Sequence, residues 1–318
     1  MILVIGEALI DLIGRGGGTY EAVVGGANAN VALALAVRGE KQAFLGRISN
    51  DGFGQLIRNH LSSHGVNLDL AISAKEQTSL AVATIDNAGS ASYSFYLNGT
   101  ADWGWKPAEL PSVGAIRDLG AKAIQFGCLG MAIEPGSSVI LDWLKQVSAA
   151  NRQTLSHDLN IRPAIGFRRE AELKRVLEIN TVSNIIKASD ADIMWLYDAD
   201  ESSVEDVYKT WSLGKLLVVT RGAEGVSIFR DAQRLDIPGF EAKLADTVGA
   251  GDTFMAHFLG ELYSLDALGD NPQQRLAKMD AKQLMSAARY ANAASSIVCE
   301  RVGCNPPTKQ EVQNRLAI

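Results

Sequence analysis

Asp246-Thr247-Val248-Gly249-Ala250-Gly251-Asp252 runs directly into Thr253-Phe254-Met255-Ala256-His257-Phe258-Leu259. Two acids bracket a turn of small residues, and the turn opens an apolar segment with helical spacing. Gly249, Ala250 and Gly251 carry little or no side chain, so their N–H groups are able to converge on a ligand. The first N–H groups of a helix lack intrahelical partners and lie at the positive end of its dipole. Together these features make an anion site, most often for phosphate. Asp252 is the odd member, because a carboxylate beside an anion site repels the anion. Either it caps the helix, as Asp at an N-cap commonly does, or it is a general base. In the second case it takes a proton from a hydroxyl while the amides steady a phosphoryl group in transfer.

The 318 residues suffice to bury a large core, as one α/β unit or a main domain with a small appendage. A hydrophobic content of 47% with 21% charged residues is that of an ordinary globular chain. The net charge of -6 argues against a nucleic-acid partner but leaves room for a small anion at a local site. Cys128, Cys299 and Cys304 show no metal or redox spacing, which fits free thiols in a reducing compartment. Met1-Ile2-Leu3-Val4-Ile5 lacks a basic flank, and Glu7 and Asp11 interrupt the apolar run, so it reads as a buried first strand and not a signal peptide. No uncharged apolar stretch reaches the about 20 residues that span a bilayer. A cytoplasmic protein with no membrane partner is expected.

Short β-rich runs alternate with amphipathic stretches. Strands are expected at Ile2–Ile5, Ala43–Leu45, Ala123–Phe126, Thr154–Asp158, Ile193–Leu196 and Leu216–Thr220, and helices at Asn28–Val37, Gly54–His64, Ser137–Ala149, Asp252–Tyr263 and Ala281–Cys299. Buried strands separated by helices imply a mostly parallel sheet covered on both faces. Ligands in such sheets bind beyond the carboxyl ends of the strands, so the glycine turns after Ile5 and Thr220 mark the active edge. A different texture appears at Ser79–Leu97, where two alternating runs flank Asp86-Asn87-Ala88-Gly89, a hairpin signature. Ile10–Ile13 and Tyr20–Val24, joined by Gly14-Arg15-Gly16-Gly17-Gly18, are expected to pair with it. The reading is one domain over 1–318 with an inserted lid formed by about 10–24 and 79–105, in which Trp103 and Trp105 pack.

Other constellations remain double-edged on local sequence. Gly25-Gly26-Ala27-Asn28-Ala29-Asn30 is either a tight turn into a closely packed helix, or a site where Gly26 admits a polyol and Asn30 offers both donor and acceptor. Asp11, an acid in an apolar strand, is exposed at a strand end or binds hydroxyls, since burying it alone is costly. Asp158, Asn160 and Arg162 alternate at the end of a strand and should point the same way. They form a buried network, or a polar wall beside substrate and phosphate with Arg162 supplying positive charge. Thr220-Arg221-Gly222-Ala223-Glu224-Gly225 is either a hairpin or a turn that approaches a nucleotide. There is no Gly-Lys-Ser/Thr phosphate loop, and Gly6-Glu7-Ala8 after the first strand does not fit a dinucleotide fingerprint. The four histidines are dispersed, and His60 and His64, one helical turn apart, read as solvated.

Together these segments resemble the ribokinase-like, or PfkB-type, carbohydrate kinases over nearly the whole chain. Gly25–Asn30 with the stretch Phe44–Gly54 resembles the family's N-terminal signature, and Asp246–Asp252 its C-terminal one. The resemblance implies a three-layer α/β/α fold with a mostly parallel central sheet and a small β-sheet lid. It also implies ATP-dependent phosphorylation of a sugar hydroxyl, with Asp252 as base, ionised near neutrality at an ordinary pKa of ~3.9. Gly249, Ala250 and Gly251 become the anion hole. Asp11, Gly26, Asn30 and Arg162 lie on the substrate side, and Thr220, Gly222, Gly225 and Asn292 border the nucleotide. Magnesium is implied as cofactor. So is potassium, in a loop that maps to Asp246, Val248, Val298, Arg301 and Gly303. Lids in the family often pair between subunits, which implies a homodimer.

Gly25-Gly26-Ala27, Phe126-Gly127-Cys128-Leu129, Asp158–Pro163 and Gly99–Trp103 resemble the fructokinase branch, so fructose to fructose 6-phosphate is the expected reaction. Kinases of 2-keto-3-deoxygluconate, ribose or nucleosides share much of this pattern. One departure stands out. After the strand around Ile193 the family carries Asn or Ser and then a Glu that organises magnesium, and the matching stretch here is read as Tyr197-Asp198-Ala199-Asp200. Tyr197 gives a foothold to a rival from another class, a sugar-binding sensor without turnover. A nicotinamide oxidoreductase is weakened by the missing fingerprint.

Overall fold

The computed structural model describes residues 1–85, 91–200 and 203–317. In chain order the strands are β1 (Ile2–Ile5), β2 (Leu9–Gly14), β3 (Tyr20–Gly25), β4 (Gln42–Leu45), β5 (Arg47–Ser49), β6 (Ile72–Ala74), β7 (Leu80–Ile85), β8 (Ala91–Tyr96), β9 (Ala123–Gly127), β10 (Thr154–Asp158), β11 (Ile185–Ser189), β12 (Leu216–Thr220), β13 (Gly225–Arg230) and β14 (Gln233–Pro238). The main sheet has the order β14-β13-β12-β11-β10-β9-β1-β4. Its strands from β12 to β4 are parallel, with Val4 opposite Phe44 and Leu3 opposite Ile124, and the β13–β14 hairpin closes one edge antiparallel. Strands such as Ile2–Ile5 and Leu216–Val219 are buried on both faces, as continuous apolar runs require.

Two helical layers cover this sheet. On one face the helices Ala27–Val37, Ala250–Ser264 and Ala281–Cys299 pack Leu33, Phe254, Phe258 and Ala288 against Val4, Val218 and Ile228. On the other, Gly136–Ala150 sets Leu144 and Val147 against Leu3 and Ile124. Farther along that face Arg169–Val182 and Glu205–Trp211 set Val176 and Tyr208 against Ile186, Leu217 and Val219. The three-layer α/β/α fold is as expected.

A second sheet, ordered β3-β2-β7-β8, stands apart from the first, and β5 pairs with β6 in a short third one. It joins the Ile10–Ile13 and Tyr20–Val24 segments to the alternating runs after Ser79, with β2 and β7 parallel. The turn Asp86-Asn87-Ala88-Gly89 lies outside the described residues. Of the two tryptophans expected in the lid, Trp103 packs with Leu9 and Ala81 of that sheet and with Leu97 just beyond β8. Trp105 instead belongs to the main core beside Leu3 and Phe126. Among the described residues no helix is long and apolar enough to cross a membrane.

One expected strand is a helix. Ile193–Leu196 lies within the helix Asp190–Tyr197, and the strand of this region is β11, eight positions earlier. A short apolar run does not declare its own period. The capping box does: Asp192 N–H donates to Ser189 Oγ at 3.0 Å and Ser189 N–H to Asp192 Oδ2 at 2.8 Å. Ile193 and Leu196, one turn apart, are then buried together.

Candidate active site

Gly249 is the N-cap of the Ala250–Ser264 helix, in the left-handed region at φ 77°. Only glycine fits there twice over, because a Cβ would also meet Cys304 Sγ at 2.5 Å. Asp252 therefore sits inside the first turn and does not cap the helix. Its Oδ2 accepts a hydrogen bond from Asn30 Nδ2 at 2.8 Å, across 222 positions of sequence. Thus the capping explanation fails, and Asn30 is brought directly onto the acid. Burial lifts the Asp252 carboxyl from its ordinary 3.8 to about 6; Asn30, Lys187 and Arg162 oppose the rise and Glu7 adds to it. The expected unperturbed value is corrected accordingly. An acid of this strength is a better proton acceptor than a solvated aspartate and still ionises at neutral pH. Of the three amides expected to form an anion hole, that of Ala250 already donates to Thr247 O at 3.2 Å, closing the turn.

Lys187, which the sequence reading passed over, completes this edge. It is buried on β11, donates from Nζ to Asp158 Oδ1 at 3.0 Å, and lies 3.0 Å from where a Cβ on Gly251 would stand. Burial works against its charge, yet Asp158, Asp192 and Asp252 hold its pKa above the usual lysine value. Burial likewise raises Asp158, to about 6, against the pull of Lys187. A charge within the apolar run Ile185-Ile186-Lys187-Ala188 was the signal, the same one that drew notice to Asp11. The alternation expected through Arg162 stops at Asp158, where the strand ends; Asn160 adopts φ 42°, which breaks the two-residue period. Arg162 is left exposed; its carbonyl accepts from Ile165 N–H at 3.1 Å, and its guanidinium acts electrostatically on both Asp11 and Asp252.

On the side of the small sheet, Asp11 projects from the middle of β2, not from a strand end. Gly25 makes room for it, since a Cβ there would meet Asp11 Oδ2 at 2.2 Å. Burial raises Asp11 to about 6 against the pull of Arg162. Gly26, at φ 105°, passes over the Glu7 carbonyl, which a Cβ would approach to 2.7 Å. The tight-turn reading of Gly26 is thus satisfied by packing alone. Glu7 and Asp102, both buried and neither given a role by the sequence, knit the roots of this sheet to the body. Glu7 accepts from Ala27 N–H (2.9 Å), Asn28 Nδ2 (2.9 Å) and Gly130 N–H (3.0 Å). Asp102 accepts from Ala8 N–H (2.9 Å) and Ser79 Oγ (2.5 Å). Burial raises Asp102 to about 7.

At the other end of the edge, Thr220 closes β12 and its Oγ1 donates to Ala188 O at 3.4 Å. Gly222 and Gly225 have φ 53° and 105°, and a Cβ on Gly225 would strike Ile237 O, so the turn is also a true hairpin into β13. Asn292 donates to Pro238 O at 3.2 Å. Asp246 binds two loops together, accepting from Val248 N–H at 3.1 Å and Gly303 N–H at 2.9 Å. Val298 O accepts from Arg301 N–H, and the Arg301 guanidinium is turned away to Asn305 O and Glu311. Tyr197 packs near Trp211, and Asp200 binds Ser203. Both lie a helix away from the end of β11, so the departure at Tyr197 was a misplacement. Ser189 and Asp192 follow the strand. Among the described residues no three His, Cys, Asp or Glu side chains gather as a metal site.

The pfkB family carbohydrate kinase profile matches residues 1–311. The chain is 31% identical to probable fructokinase-4 of Arabidopsis thaliana, covering 99% of this chain and 96% of that one. It is 30% identical to fructokinase-2 of Zea mays, over 100% and 94%. Among solved structures, fructokinase with bound ATP from Xylella fastidiosa superposes with a TM-score of 0.87 at 25% identity, covering 99% and 98%. Fructokinase from Vibrio cholerae O395, bound to fructose, ADP and calcium, shares the fold with a TM-score of 0.82 at 23% identity, over 99% and 98%. A matched profile across almost the whole length, on a fold that sets a hydrogen-bonded acid into a helix N-terminus, leaves one assignment: this chain belongs to the pfkB family of carbohydrate kinases, phosphotransferases that act on a sugar.

Proposed function

We propose that the protein transfers the γ-phosphate of ATP to fructose, giving fructose 6-phosphate, with Asp252 as general base. The observation that carries this reading is the buried Asn30–Asp252 hydrogen bond at the N-terminus of the Ala250–Ser264 helix. Asn30 holds the carboxylate in one orientation while burial lifts its basicity. The base takes the proton of the sugar's primary hydroxyl as that oxygen attacks phosphorus. The Gly249 and Gly251 amides, with Lys187 and Arg162, balance the negative charge of the phosphoryl group in flight. Asp11, Gly26 and Asn30 face the sugar, and the sheet β3-β2-β7-β8 acts as a lid that excludes water. Thr220, Gly222, Gly225 and Asn292 border ATP.

Magnesium supplies charge neutralisation on the phosphates when bound. Both Asp192 oxygens already accept backbone N–H groups, from Ile161 at 2.9 Å and Ser189 at 2.8 Å, and among the described residues no cluster of acids gathers to hold a resident ion. The ion enters with ATP, keeping water and phosphate as most of its ligands. For potassium, the loops that Asp246 ties together carry hard oxygen donors, which suit such a cation. Most of the ligands at Asp246, Val248, Val298, Arg301 and Gly303 are backbone carbonyls, since valine, glycine and a donor-only guanidinium offer no side-chain oxygen. A cytoplasmic homodimer formed through the exposed outer face of the lid, where Tyr20 and Tyr96 lie, completes the proposal.

The test is ADP release from MgATP and potassium with fructose, ribose, 2-keto-3-deoxygluconate, glucose and adenosine, beside Asp252→Asn. Turnover on fructose that vanishes in the variant supports both base and substrate. Turnover on another acceptor replaces the substrate and keeps the mechanism. Silence with every acceptor overturns the enzyme in favour of a sensor.

A further inference from the structure

The Asn30–Asp252 bond is one end of a longer contact. Arg38 closes the helix Ala27–Val37 and packs on the Ala250–Ser264 helix. There its Nη2 donates to Glu261 Oε1 at 2.6 Å, across 223 positions of sequence, against 222 for Asn30 and Asp252. Two contacts at nearly one offset, eight residues apart, mean that the helices run parallel and in register over about 12 Å. Ala34 and Ala256, both fully buried, lie between them on the same i, i+4 rows. Gly260 ends the row beneath Arg38, and a Cβ there would meet Nε at 2.2 Å and Cζ at 2.8 Å. The guanidinium is 1% exposed and held on every side. Nε donates to Glu40 at 3.2 Å, Nη1 to His257 Nδ1 at 3.2 Å, and the carbon lies 4.8 Å from the Tyr290 ring centre.

We propose that Arg38, seated on Gly260, is a positioning residue for phosphoryl transfer, fixing the axial register of the two helices so that Asn30 Nδ2 meets Asp252 Oδ2. A planar fork gripped at three nitrogens resists sliding in a way that a lysine ammonium does not. The inference rests on the reading of Asp252 as the base. Besides Asn30, that carboxylate faces Lys187 from β11, Asp158 from β10, Arg162 from beyond β10, Glu7 from beyond β1, Cys128 from beyond β9 and Cys304. Arg38 itself faces Glu40, His257 and Glu261, and Lys309 pairs with Glu40.

The experiment measures kcat, the KM for each substrate, the melting temperature and the kcat–pH profile for Arg38→Lys, Gly260→Ala, Asn30→Ala, Asn30→Ala with Arg38→Lys, and Asp252→Asn. Arg38→Lys is expected to lower kcat on the order of tenfold with little change in the KM for ATP. It should move the acid limb upward, toward that of Asn30→Ala, because a weakened donor leaves the base harder to ionise. In the Asn30→Ala background the second change should move the limb no further. A lower melting temperature with an unmoved limb in Arg38→Lys overturns the inference, as does an additive shift in the double variant. Gly260→Ala repeats the test from the other helix; should it not fold, Arg38→Lys and the cycle decide. Retained turnover in Asp252→Asn instead overturns the base, which separates that failure from this one.

Discussion

At the scale of single residues, the site departs from what isolated side chains would do. Asp252 with a pKa of about 6 predicts a kcat/KM profile that falls tenfold per pH unit below about 6, a limb read directly by initial rates from pH 5 to 8. Asp252→Asn should cost on the order of 10²–10⁴ in kcat while leaving sugar binding measurable by calorimetry. Lys187→Met should lower kcat and move the same limb upward, since Lys187 opposes the rise in Asp252. An unmoved limb would assign Lys187 to holding Asp158 alone. Gly249→Ala carries two penalties at once, a left-handed backbone and a Cβ 2.5 Å from Cys304 Sγ. Loss of activity exceeding any loss of melting temperature would place the damage in the anion-binding turn.

At the scale of elements, the legible and illegible parts divide for physical reasons. Strands buried on both faces and helices with long apolar stripes declare themselves, so Ile2–Ile5, Thr154–Asp158, Leu216–Thr220 and Ala281–Cys299 were readable to the residue. Ile193–Leu196 was not, because four apolar residues carry too little period and the deciding signal was the Ser189–Asp192 cap beside them. The candidate site was legible where chemistry is local, in the small-residue turn at Gly249–Gly251. Partnerships were not legible: nothing in sequence pairs Asn30 with Asp252 or Lys187 with Asp158. The roles of Glu7 and Asp102 were not legible because these carboxylates accept hydrogen bonds at the base of the small sheet, which no spacing announces. Asp102→Ala would strand the Ala8 amide and leave the Ser79 hydroxyl only its bond to Thr100 Oγ1, at a cost of about 1–3 kcal/mol. Thermal unfolding measures that cost. If the small sheet closes over sugar, the KM for fructose should rise more than the KM for ATP.

Across the whole molecule, the buried acids set a distinct pH response. Asp11, Asp102 and Asp252 are raised from 3.8 to about 6, 7 and 6, so the fold binds their protons more tightly than the unfolded chain does. Their stabilisation is complete below about 3.8 and is lost as pH rises through 6 to 7. His157 and His257 are lowered by burial to about 3, so what they contribute is lost as pH falls from 6.5 toward 3. The melting temperature without ligands should therefore be flat from pH 8.5 to about 7.5 and climb as pH drops from about 7 toward 5, where three raised acids outweigh two lowered histidines. In Asp102→Asn that climb should shrink; an equal climb would assign it to the other acids. The parallel pairing of distant helices also bears on how the chain comes to be active. Asn30 is made first, and its partner Asp252 follows 222 residues later, so a nascent chain carries Asn30 without its partner until the Ala250–Ser264 helix emerges. Contacts this far apart in sequence form late and slowly, which makes sugar binding a report on the completion of folding itself.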